Sequence, residues 1–219
     1  MVSYSLDEYI TTRMMEGISP SNGKLMTIIT PSIRVSNLTR IKESIDFDYV
    51  HEWIIVYDGN HVPENTNLFG DYNGKIKEYV YKGEGVSGNP QRNYALSKIT
   101  NPNNTFLYYL DDDNIIHPKL YKLMDIVQER KMYTFNQAKR IKGNTVNVYH
   151  IDTAMMLIDF EICKHVTWKN DRYDADGHYI QECYEHNNNK DRHIFIDEDI
   201  SYYNHIGNAN ILPPCGINN

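Results

Sequence analysis

The chain has 219 residues and carries 29 Asp and Glu against 22 Lys and Arg, which gives a formal net charge of −7. That length suits one compact domain that buries its own core. The acidic balance argues against a general nucleic-acid binder, because phosphate backbones are held by clustered basic side chains. It leaves room for a small phosphorylated ligand, provided that something offsets the repulsion.

Two features of the sequence bear on its surroundings. No apolar run approaches the roughly 20 residues that cross a bilayer, and the N-terminus lacks the basic and apolar regions of a secretory signal. The cysteines, Cys163, Cys183 and Cys215, form an odd set without metal-type spacing. We therefore expect a cytoplasmic protein with reduced thiols and no transmembrane segment. The pattern does not indicate an oligomeric state.

The first segment, residues 1–24, is predicted to be a helical arm. Ser5 and Glu8 have the spacing of a capping box, an apolar stripe follows, and Gly17 can end the helix. Turn-forming residues at 18–24 then join the arm to the main domain. The pattern leaves open whether the arm covers that domain or contacts a partner chain.

Residues 25–128 alternate between strands and helices. Short apolar runs predict buried strands, and helices are predicted where apolar residues recur every three or four positions. This alternation is typical of an α/β domain with an open, mostly parallel sheet flanked by helices. The predicted strands are 25–30, 52–57, 75–81 and 105–110, and the predicted helices begin near Ser36, Asn89 and His117.

Residues 129–219 follow a different pattern. Strands are predicted at 146–149, 155–158, 193–196 and 200–203, and a helix at 178–186 follows an acidic loop. No repeat or long linker interrupts the sequence. We therefore predict one main domain over 25–219, with a nucleotide-type half at 25–128 and a different half at 129–219.

Asp111, Asp112 and Asp113 form the strongest chemical signal. They follow directly on the apolar strand FLYYL, at the end of a strand, where ligands bind in open α/β sheets. Alternate residues of an extended chain share a face, so Asp111 and Asp113 can act on one ligand. Carboxylate pairs suit Mg²⁺ or Mn²⁺ together with phosphate oxygens of a substrate. The alternative is a solvated acidic turn that precedes a helix.

Four segments, in this order, resemble the inverting family 2 glycosyltransferases of the GT-A fold. LMTIITPSIRVSNLTRI resembles the opening strand and turn of that family, and EWIIVYDGN resembles its second strand. GVSGNPQRNYAL resembles the glycine loop and the helix after it, and TFLYYLDDDNIIHP resembles the DXD region. Together they cover residues 25 to about 128, whereas the C-terminal half matches only loosely. The resemblance implies a Rossmann-like GT-A catalytic domain.

The resemblance assigns roles in donor binding. Asp58 would accept a hydrogen bond from the nucleobase, which suits the imide of uracil and therefore UDP. Asp111 would face the ribose or the metal, and Asp113 would ligate Mn²⁺ or Mg²⁺. Considered one at a time, Arg34 and Arg92 could equally be ordinary surface charges, and Asp58 could be an aspartate of a turn. The other residues that would line the nucleotide-sugar site are Pro31, Ser32, Arg34, Arg92, Asn93 and Asp112.

The second half must supply an acceptor site and a base. RYDADGHYI resembles the acidic loop that opens a helix in the family, which puts Asp176 in the position of the base. Ala175 stands where an acid is usual, so Asp174 remains a rival, and an N-cap role also suits Asp176. By the same resemblance Asp152 would bind acceptor hydroxyls, and His205 would complete the metal shell or contact the diphosphate.

The resemblance implies a metal-dependent inverting glycosyltransferase that moves one sugar from a nucleotide donor to a glycan or other hydroxyl acceptor. UDP is favoured over GDP or dTDP. A sugar-nucleotide nucleotidyltransferase has a related core, but the G-x-G-T-R opening of that class is missing after Thr30. A degenerate domain that binds glycans or nucleotides without turnover is a further alternative. A two-metal nuclease also uses clustered carboxylates, but no basic patch guides a polyanion to them.

Overall fold

The strands and helices predicted for residues 25–128 are present in the computed structural model, which describes residues 2–17 and 23–207. Cys215 lies outside these residues. The strands are β1 (Val2–Tyr4), β2 (Leu25–Ser32), β3 (Val50–Asp58), β4 (Ile76–Tyr81), β5 (Thr105–Tyr109), β6 (Met132–Gln137), β7 (Met156–Asp159) and β8 (His193–Ser201). The helices are α1 (Leu6–Met15), α2 (Leu38–Ser44), α3 (Asn89–Leu96), α4 (Lys119–Met124), α5 (Phe160–Cys163) and α6 (Ala175–Glu185).

The described strands form one sheet in the order β1-β8-β6-β7-β5-β2-β3-β4. Strand β7 runs antiparallel to its neighbours β5 and β6, and the other pairs are parallel. The expected single α/β domain with a mostly parallel sheet is therefore confirmed. Because β5, β2 and β3 are parallel neighbours, their carboxyl ends meet at one edge of the sheet.

Apolar side chains on both faces of the sheet hold the helices in place. Along β2, Ile28 packs into the core on one face and Ile29 into the core on the other, as expected for alternating strand residues. Helices α1, α2 and α4 contribute to the first core, and α3, α5 and α6 to the second. A sheet covered on both faces explains why its strands read as nearly continuous apolar runs.

The N-terminal arm packs directly on the sheet. The predicted capping box is present, since the Glu8 N–H donates to Ser5 Oγ at 3.3 Å and the Ser5 N–H donates to a Glu8 carboxylate oxygen at 2.8 Å. Tyr9 of α1 is buried, and its hydroxyl lies 3.0 Å from that of Tyr133 in β6. The preceding strand β1, which the sequence did not predict, pairs with β8 at the edge of the sheet. The arm thus covers the second half of the domain.

The second half departs from prediction in several elements. Residues 146–149 form a turn and not a strand, and the Val148 N–H donates to the Gln181 side chain of α6 at 3.1 Å. Strand β6 and helix α5 were not predicted. The two predicted strands at 193–196 and 200–203 are one continuous strand, β8, whose pairing with β6 is irregular. No helix within residues 2–17 and 23–207 has the length and apolar character needed to span a bilayer.

Candidate active site

A cavity of about 390 Å³ lies at the carboxyl ends of β2, β3 and β5. Loops before β7 and α6 reach the same edge of the sheet, so both halves of the chain contribute to its walls. Its volume lies in the usual range for small-ligand sites. We term it the acidic cavity, and the predicted site residues in its walls are Pro31, Ser32, Arg34, Asp58, Arg92, Asp111, Asp112, Asp113, Asp152 and Asp176.

Asp112 is the member of the acidic triplet that supports the fold. Its side chain is almost fully buried, and Oδ2 accepts hydrogen bonds from the backbone N–H groups of Ile33 and Arg34, both at 2.7 Å. Oδ1 accepts from the guanidinium of Arg34, and Asn37 Nδ2 donates to the backbone carbonyl of Asp112 at 2.8 Å. A buried carboxylate requires such donors. Asp112 therefore fastens the turn after β2 to the end of β5, and its contact with a nucleotide sugar stays a prediction.

Arg92 forms a second ion pair at the base of the cavity. Its Nη2 donates to Asp111 Oδ1 at 2.5 Å, and Nη1 donates to the carbonyl of Ser87 at 2.6 Å and to Asn89 Oδ1 at 3.1 Å. The guanidinium carbon lies 4.5 Å from the ring centre of Trp168. Enclosure raises the pKa of Asp111, and the charge of Arg92 opposes that shift. Arg92 is thus fixed on several sides and holds the first aspartate of the triplet.

Asp113 and Asp176 carry carboxyl groups whose charge the cavity disfavours. Burial, followed by the charge of Asp111, raises the pKa of Asp113 to about 6, although Arg34 opposes the shift. Burial also raises the pKa of Asp176 to about 6, and the charge of Asp152 adds to this effect. The carboxylates therefore repel one another, and a bound cation or a proton would relieve the repulsion.

Asp176 lies in the first turn of α6, close to a neighbouring loop. Its Oδ1 accepts a hydrogen bond from the Gly177 N–H at 2.8 Å. A Cβ on Gly177 would lie 2.9 Å from the Cα of Val148, so the close approach of helix and loop depends on glycine. A carboxyl group with a pKa near 6, facing a cavity, is suited to accept a proton near neutral pH.

Asp174, the rival base, lies in a different environment. It is not among the residues that line the acidic cavity, and Arg172 binds it through two hydrogen bonds of 2.8 and 3.0 Å. Arg172, together with the hydroxyl of Tyr149, holds the pKa of Asp174 below its usual range. A carboxylate stabilised in its charged form is a weak proton acceptor. The geometry therefore favours Asp176 over Asp174 as the base.

The structure does not bring Asn93 into the walls of the acidic cavity. Its Nδ2 donates to the Trp168 carbonyl at 2.9 Å, and its Oδ1 accepts from the Trp168 N–H at 2.8 Å. Nδ2 also donates to Asn170 Oδ1 at 2.8 Å. The amide therefore clamps α3 to the segment at 168–170, because these partners satisfy it on both sides. A contact with nucleotide or sugar through this side chain has no support in this arrangement.

His205 also lies outside the walls of the cavity. Its side chain is exposed, and its ring centre lies 4.5 Å from that of Tyr202. The backbone of its segment nevertheless contacts the acidic turn, since the Ile206 N–H donates to the Asp113 carbonyl at 2.8 Å. The described residues end at Gly207, so Asn208, the next residue of this segment, lies outside them. Metal ligation by His205 stays a prediction.

Asp152 and Asp58 lie in the cavity walls on opposite halves of the chain. Asp152 Oδ2 accepts from the guanidinium of Arg140 at 2.5 Å, and its Oδ1 accepts from the Thr153 N–H at 2.7 Å. Asp58, at the end of β3, accepts from the Asn60 N–H at 2.7 Å. Both carboxylates are therefore held in place by local donors, as hydrogen-bonding groups of a binding site need to be.

Some wall residues were not predicted as site residues. Asn89 and Gln91 adjoin Arg92 at the start of α3, so their position beside that motif is a signal that could have found them. No local signal marks His61, which belongs to a loop, whereas Tyr173 lies in the segment RYDADGHYI that pointed to Asp176. The unpredicted residues in the walls are Ile33, His61, Ser87, Gly88, Asn89, Gln91, Thr153 and Tyr173, and Trp168 lies in the wall as well.

Unpartnered polar atoms are concentrated around the acidic cavity. Nine buried side-chain nitrogen or oxygen atoms of the described residues have no hydrogen-bond partner, and five of these belong to wall residues. Buried polar atoms in folded proteins normally have a partner, so this concentration fits a cavity that takes up water or a ligand. The five atoms are Ser32 Oγ, Arg34 Nε, His61 Nδ1, Arg92 Nε and Trp168 Nε1.

The carboxylates of the cavity fit a divalent cation that takes part of its shell from a ligand. In residues 2–17 and 23–207, no group of three or more His, Cys, Asp or Glu side chains is arranged to hold a metal ion by itself. Mg²⁺ needs only one or two carboxylates when phosphate oxygens and water supply the rest. Asp111 and Asp113, which share the cavity and have raised pKa values, satisfy that requirement.

Comparisons with known proteins support the fold. No family model and no curated protein sequence matches the chain. Residues 1–349 of S. aureus TarS, a glycosyltransferase, superimpose with a TM-score of 0.57 at 12% identity, over 81% of this chain and 60% of that one. A longer TarS structure gives 0.56 at 13% identity, over 81% of this chain and 36% of that one. A 4-diphosphocytidyl-2C-methyl-D-erythritol synthase gives 0.46 at 13% identity, over 80% and 90% of the two chains.

At this level of identity the likeness to TarS establishes a GT-A-like fold of the Rossmann type. The chain spans about 60% of the shorter TarS structure, so that protein contains a substantial part without a counterpart here.

Proposed function

We propose that this protein is a metal-dependent glycosyltransferase that moves one sugar from a nucleoside-diphosphate donor to a hydroxyl acceptor, with inversion. The observation that carries the proposal is the composition of one cavity. It combines Asp111 and Asp113 at the end of β5 with Asp176 at the start of α6. The first pair suits a cation bound to diphosphate, and Asp176 suits a base. The GT-A-like fold supports this reading.

The nucleotide is expected to bind at the ends of β2 and β3. Asp58 can accept a hydrogen bond from a base N–H, which favours uracil and therefore a UDP donor. Ser32 and Arg92 offer unpartnered buried polar atoms in the same cavity. Arg92 also carries positive charge, which favours the approach of a diphosphate to a cavity rich in carboxylates.

Asp113 and Asp111 would hold Mn²⁺ or Mg²⁺. A cation bound there would neutralise the diphosphate leaving group. The negative charge of Asp113 is only weakly compensated within the protein. The nearest basic group, the guanidinium of Arg34, lies 3.8 Å away, and the pKa of Asp113 is still raised to about 6. Arg92 remains paired with Asp111 and keeps that carboxylate in position.

Asp176 would act on the acceptor. In a single displacement the acceptor oxygen bonds to the anomeric carbon, the bond from that carbon to the diphosphate oxygen breaks, and the acceptor proton must go to a base. Asp176 takes this proton, and its pKa of about 6 leaves it mostly ionised at neutral pH. Asp152, which lines the same cavity, would bind acceptor hydroxyls.

The test measures nucleotide release and sugar transfer from a panel of UDP-, GDP- and dTDP-sugars with and without Mn²⁺. Asp176→Asn should lower transfer by about 10²- to 10⁴-fold while UDP with Mn²⁺ still raises the melting temperature. Asp174→Asn is the matched control, since Asp174 lies two residues away and outside the cavity walls, and it should stay near wild type. Loss of transfer in Asp174→Asn alone would reverse the assignment of the base.

Metal dependence is tested with Asp113→Asn. This variant should lose the part of UDP binding that requires Mn²⁺, as followed by thermal shift. Nucleotide-sugar binding by the wild-type protein without any release of nucleotide would contradict the proposal and indicate a binding module.

A further inference from the structure

Three largely exposed tyrosines of the second half are connected to the acidic cavity. The exposed fraction of the residue is 82% for Tyr173, 77% for Tyr149 and 53% for Tyr203. Tyr173 itself lines the cavity. We term these three residues the tyrosine rim. An exposed aromatic ring beside a polar cavity offers a flat surface to a ligand, although Arg140 lies over the ring of Tyr203.

Tyr149 and Tyr173 flank the start of the helix that carries Asp176. A Cβ on Gly177 would lie 3.2 Å from the backbone nitrogen of Tyr149, so the Tyr149 loop touches the first turn of α6. The hydroxyl of Tyr149 also contributes, after Arg172, to the lowered pKa of Asp174. The backbone of Tyr149 therefore lies at the start of α6 with its hydroxyl directed to Asp174, and Tyr173 lies in the cavity wall that Asp176 shares.

Tyr203 is connected to the cavity through Arg140. The guanidinium carbon of Arg140 lies 3.6 Å from the ring centre of Tyr203. The same guanidinium donates to Asp152 Oδ2, which lies in the cavity wall, at 2.5 Å. Arg140 thus fixes an exposed ring and a cavity carboxylate relative to one another.

The backbone of Tyr149 is in a conformation that disfavours tyrosine. Its φ is +73°, in the left-handed region where side chains with a Cβ are strained and glycine is not. The packing of a largely exposed ring does not compensate for this strain. A positive φ also occurs at Tyr72 in the first half, so this strain supports a binding role for Tyr149 only together with its place at the start of α6.

We propose that the tyrosine rim binds the sugar rings of an uncharged saccharide, and, on the basis of the proposed function, that this saccharide is the acceptor. The apolar C–H face of a sugar ring matches an exposed aromatic face, and its hydroxyls match the tyrosine hydroxyls and Asp152. An anionic chain would meet the carboxylates of Asp111, Asp113 and Asp176. The chemistry therefore favours a neutral glycan.

Direct binding tests the tyrosine rim without relying on turnover. Neutral oligosaccharides of glucose, galactose and N-acetylglucosamine are titrated into the full chain, and binding is measured by saturation-transfer NMR. Tyr173→Ala and Tyr149→Gly are compared with wild type. Tyr72→Ala is the matched control, because Tyr72 is also exposed but packs on Phe47 and Lys42 in the first half.

We expect at least one of these saccharides to bind, and each rim substitution to weaken its affinity about threefold to tenfold, as for the loss of one aromatic contact. Tyr149→Gly separates binding from folding. Glycine suits a φ of +73°, so this variant should keep or raise the melting temperature while it loses affinity. The Tyr72→Ala variant should bind as wild type does.

Unchanged affinity in both rim variants would overturn the proposal, and so would the absence of binding to every saccharide in the panel. Phosphorylated and sulfated forms of the same saccharides are titrated in parallel, and binding confined to these forms would overturn it as well. Nucleotide release by the wild-type protein is measured in parallel. Release without saccharide binding refutes the tyrosine rim and leaves the proposed transferase standing, whereas rim-dependent binding without release refutes the transferase and supports the rim.

Discussion

Arg92 and Asp111 form an ion pair in which one partner is buried and the other is accessible. The Arg92 side chain is 5% exposed and that of Asp111 is 32% exposed, and the hydrogen bond between Nη2 and Oδ1 measures 2.5 Å. Arg92 comes from α3 and Asp111 from the end of β5. The arginine therefore neutralises the carboxylate from the protein side and leaves part of it open to a ligand.

Replacing Arg92 with Met is expected to destabilise the protein by about 2 kcal/mol. The substitution removes the counter-charge of Asp111 and the hydrogen bonds to Ser87 and Asn89. The measurement is the free energy of unfolding in urea, with UDP binding as a second readout. Arg172→Met, which breaks the pair with Asp174 at an exposed position, serves as the control and should change stability little. Equal effects of the two substitutions would contradict this account of Arg92.

Replacing Asp113 with Asn is expected to stabilise the protein at neutral pH in the absence of a divalent cation. The pKa of Asp113 is about 6 in the folded protein against 3.8 ordinarily, so the folded state binds the proton more tightly than the unfolded state does. The charged carboxylate therefore lowers stability as the pH rises from about 4 to about 6. Above that window the penalty is complete, at about 3 kcal/mol.

The pH dependence provides the check on Asp113. The difference in melting temperature between Asp113→Asn and wild type should be largest at pH 7 and above, and should vanish near pH 4. Burial also lowers the pKa of His193 to about 4, so its protonation destabilises the folded protein as the pH falls. This contribution to the pH dependence of stability is the same in wild type and variant, and it cancels when the two melting temperatures are subtracted. A variant that is less stable than wild type at pH 7 would refute the prediction.

Replacing Gly88 with Ala is expected to damage the cavity more than an equivalent change elsewhere. Gly88 has a φ of +75°, and a Cβ there would lie 2.7 Å from the Cβ of Pro31 in the cavity wall. Strain and overpacking together should cost about 2 to 4 kcal/mol. Gly70→Ala is the control, since Gly70 has a φ of +62° and open space around it, and it should show only the strain of about 1 kcal/mol.

Thermal melts and UDP binding of the two glycine variants give the result for this prediction. A loss of nucleotide affinity is expected for Gly88→Ala and not for Gly70→Ala. Equal stability losses in both variants would contradict the prediction. They would mean that the glycine loop and β2 can move apart at Gly88 and Pro31 with no loss of stability beyond the backbone strain.

The rate of sugar transfer should fall as the pH drops below about 6. In the proposed function Asp176 must be ionised to accept the proton of the acceptor, and its pKa is about 6, so each further pH unit should lower the rate about tenfold. The measurement is the pH profile of the rate at saturating donor and acceptor. Asp174→Asn should keep the same profile, whereas a profile that is flat down to pH 4.5 would exclude Asp176 as the base.

The first half of the chain was predictable because its signals are local. Each strand there is an apolar run followed by polar residues, and the parallel sheet then brings those residues to one edge. The alternation argument also separated Asp111 and Asp113 from Asp112. The structure places Asp112 and Asp113 in a turn beyond the end of β5, so the separation comes from this turn and not from strand alternation, and the burial of Asp112 depends on Ile33 and Arg34.

The second half was less predictable because its elements depend on distant partners. Strand β6 contains buried polar residues, such as Thr134, whose hydroxyl lies 2.7 Å from Nε2 of His193 in β8. No window of sequence shows that such a residue will find its partner. Residues 146–149 have strand-like alternation, but the positive φ of Tyr149 turns the chain. Asn93 matched the motif, yet its amide is satisfied by the segment around Trp168.

The pairing of β1 with β8 has a consequence for the order in which this fold is assembled. Val2 pairs with Ile194, so a ribosome that has made β1 must add nearly the whole domain before the partner strand exists. Contacts between such distant segments form slowly, because a long loop must close first. Until β8 has been made, the apolar face of α1, with Leu6 and Tyr9, cannot pack fully into the core that buries it in the folded protein. We therefore expect this face to be exposed in the emerging chain, where chaperones can bind it and aggregation can start.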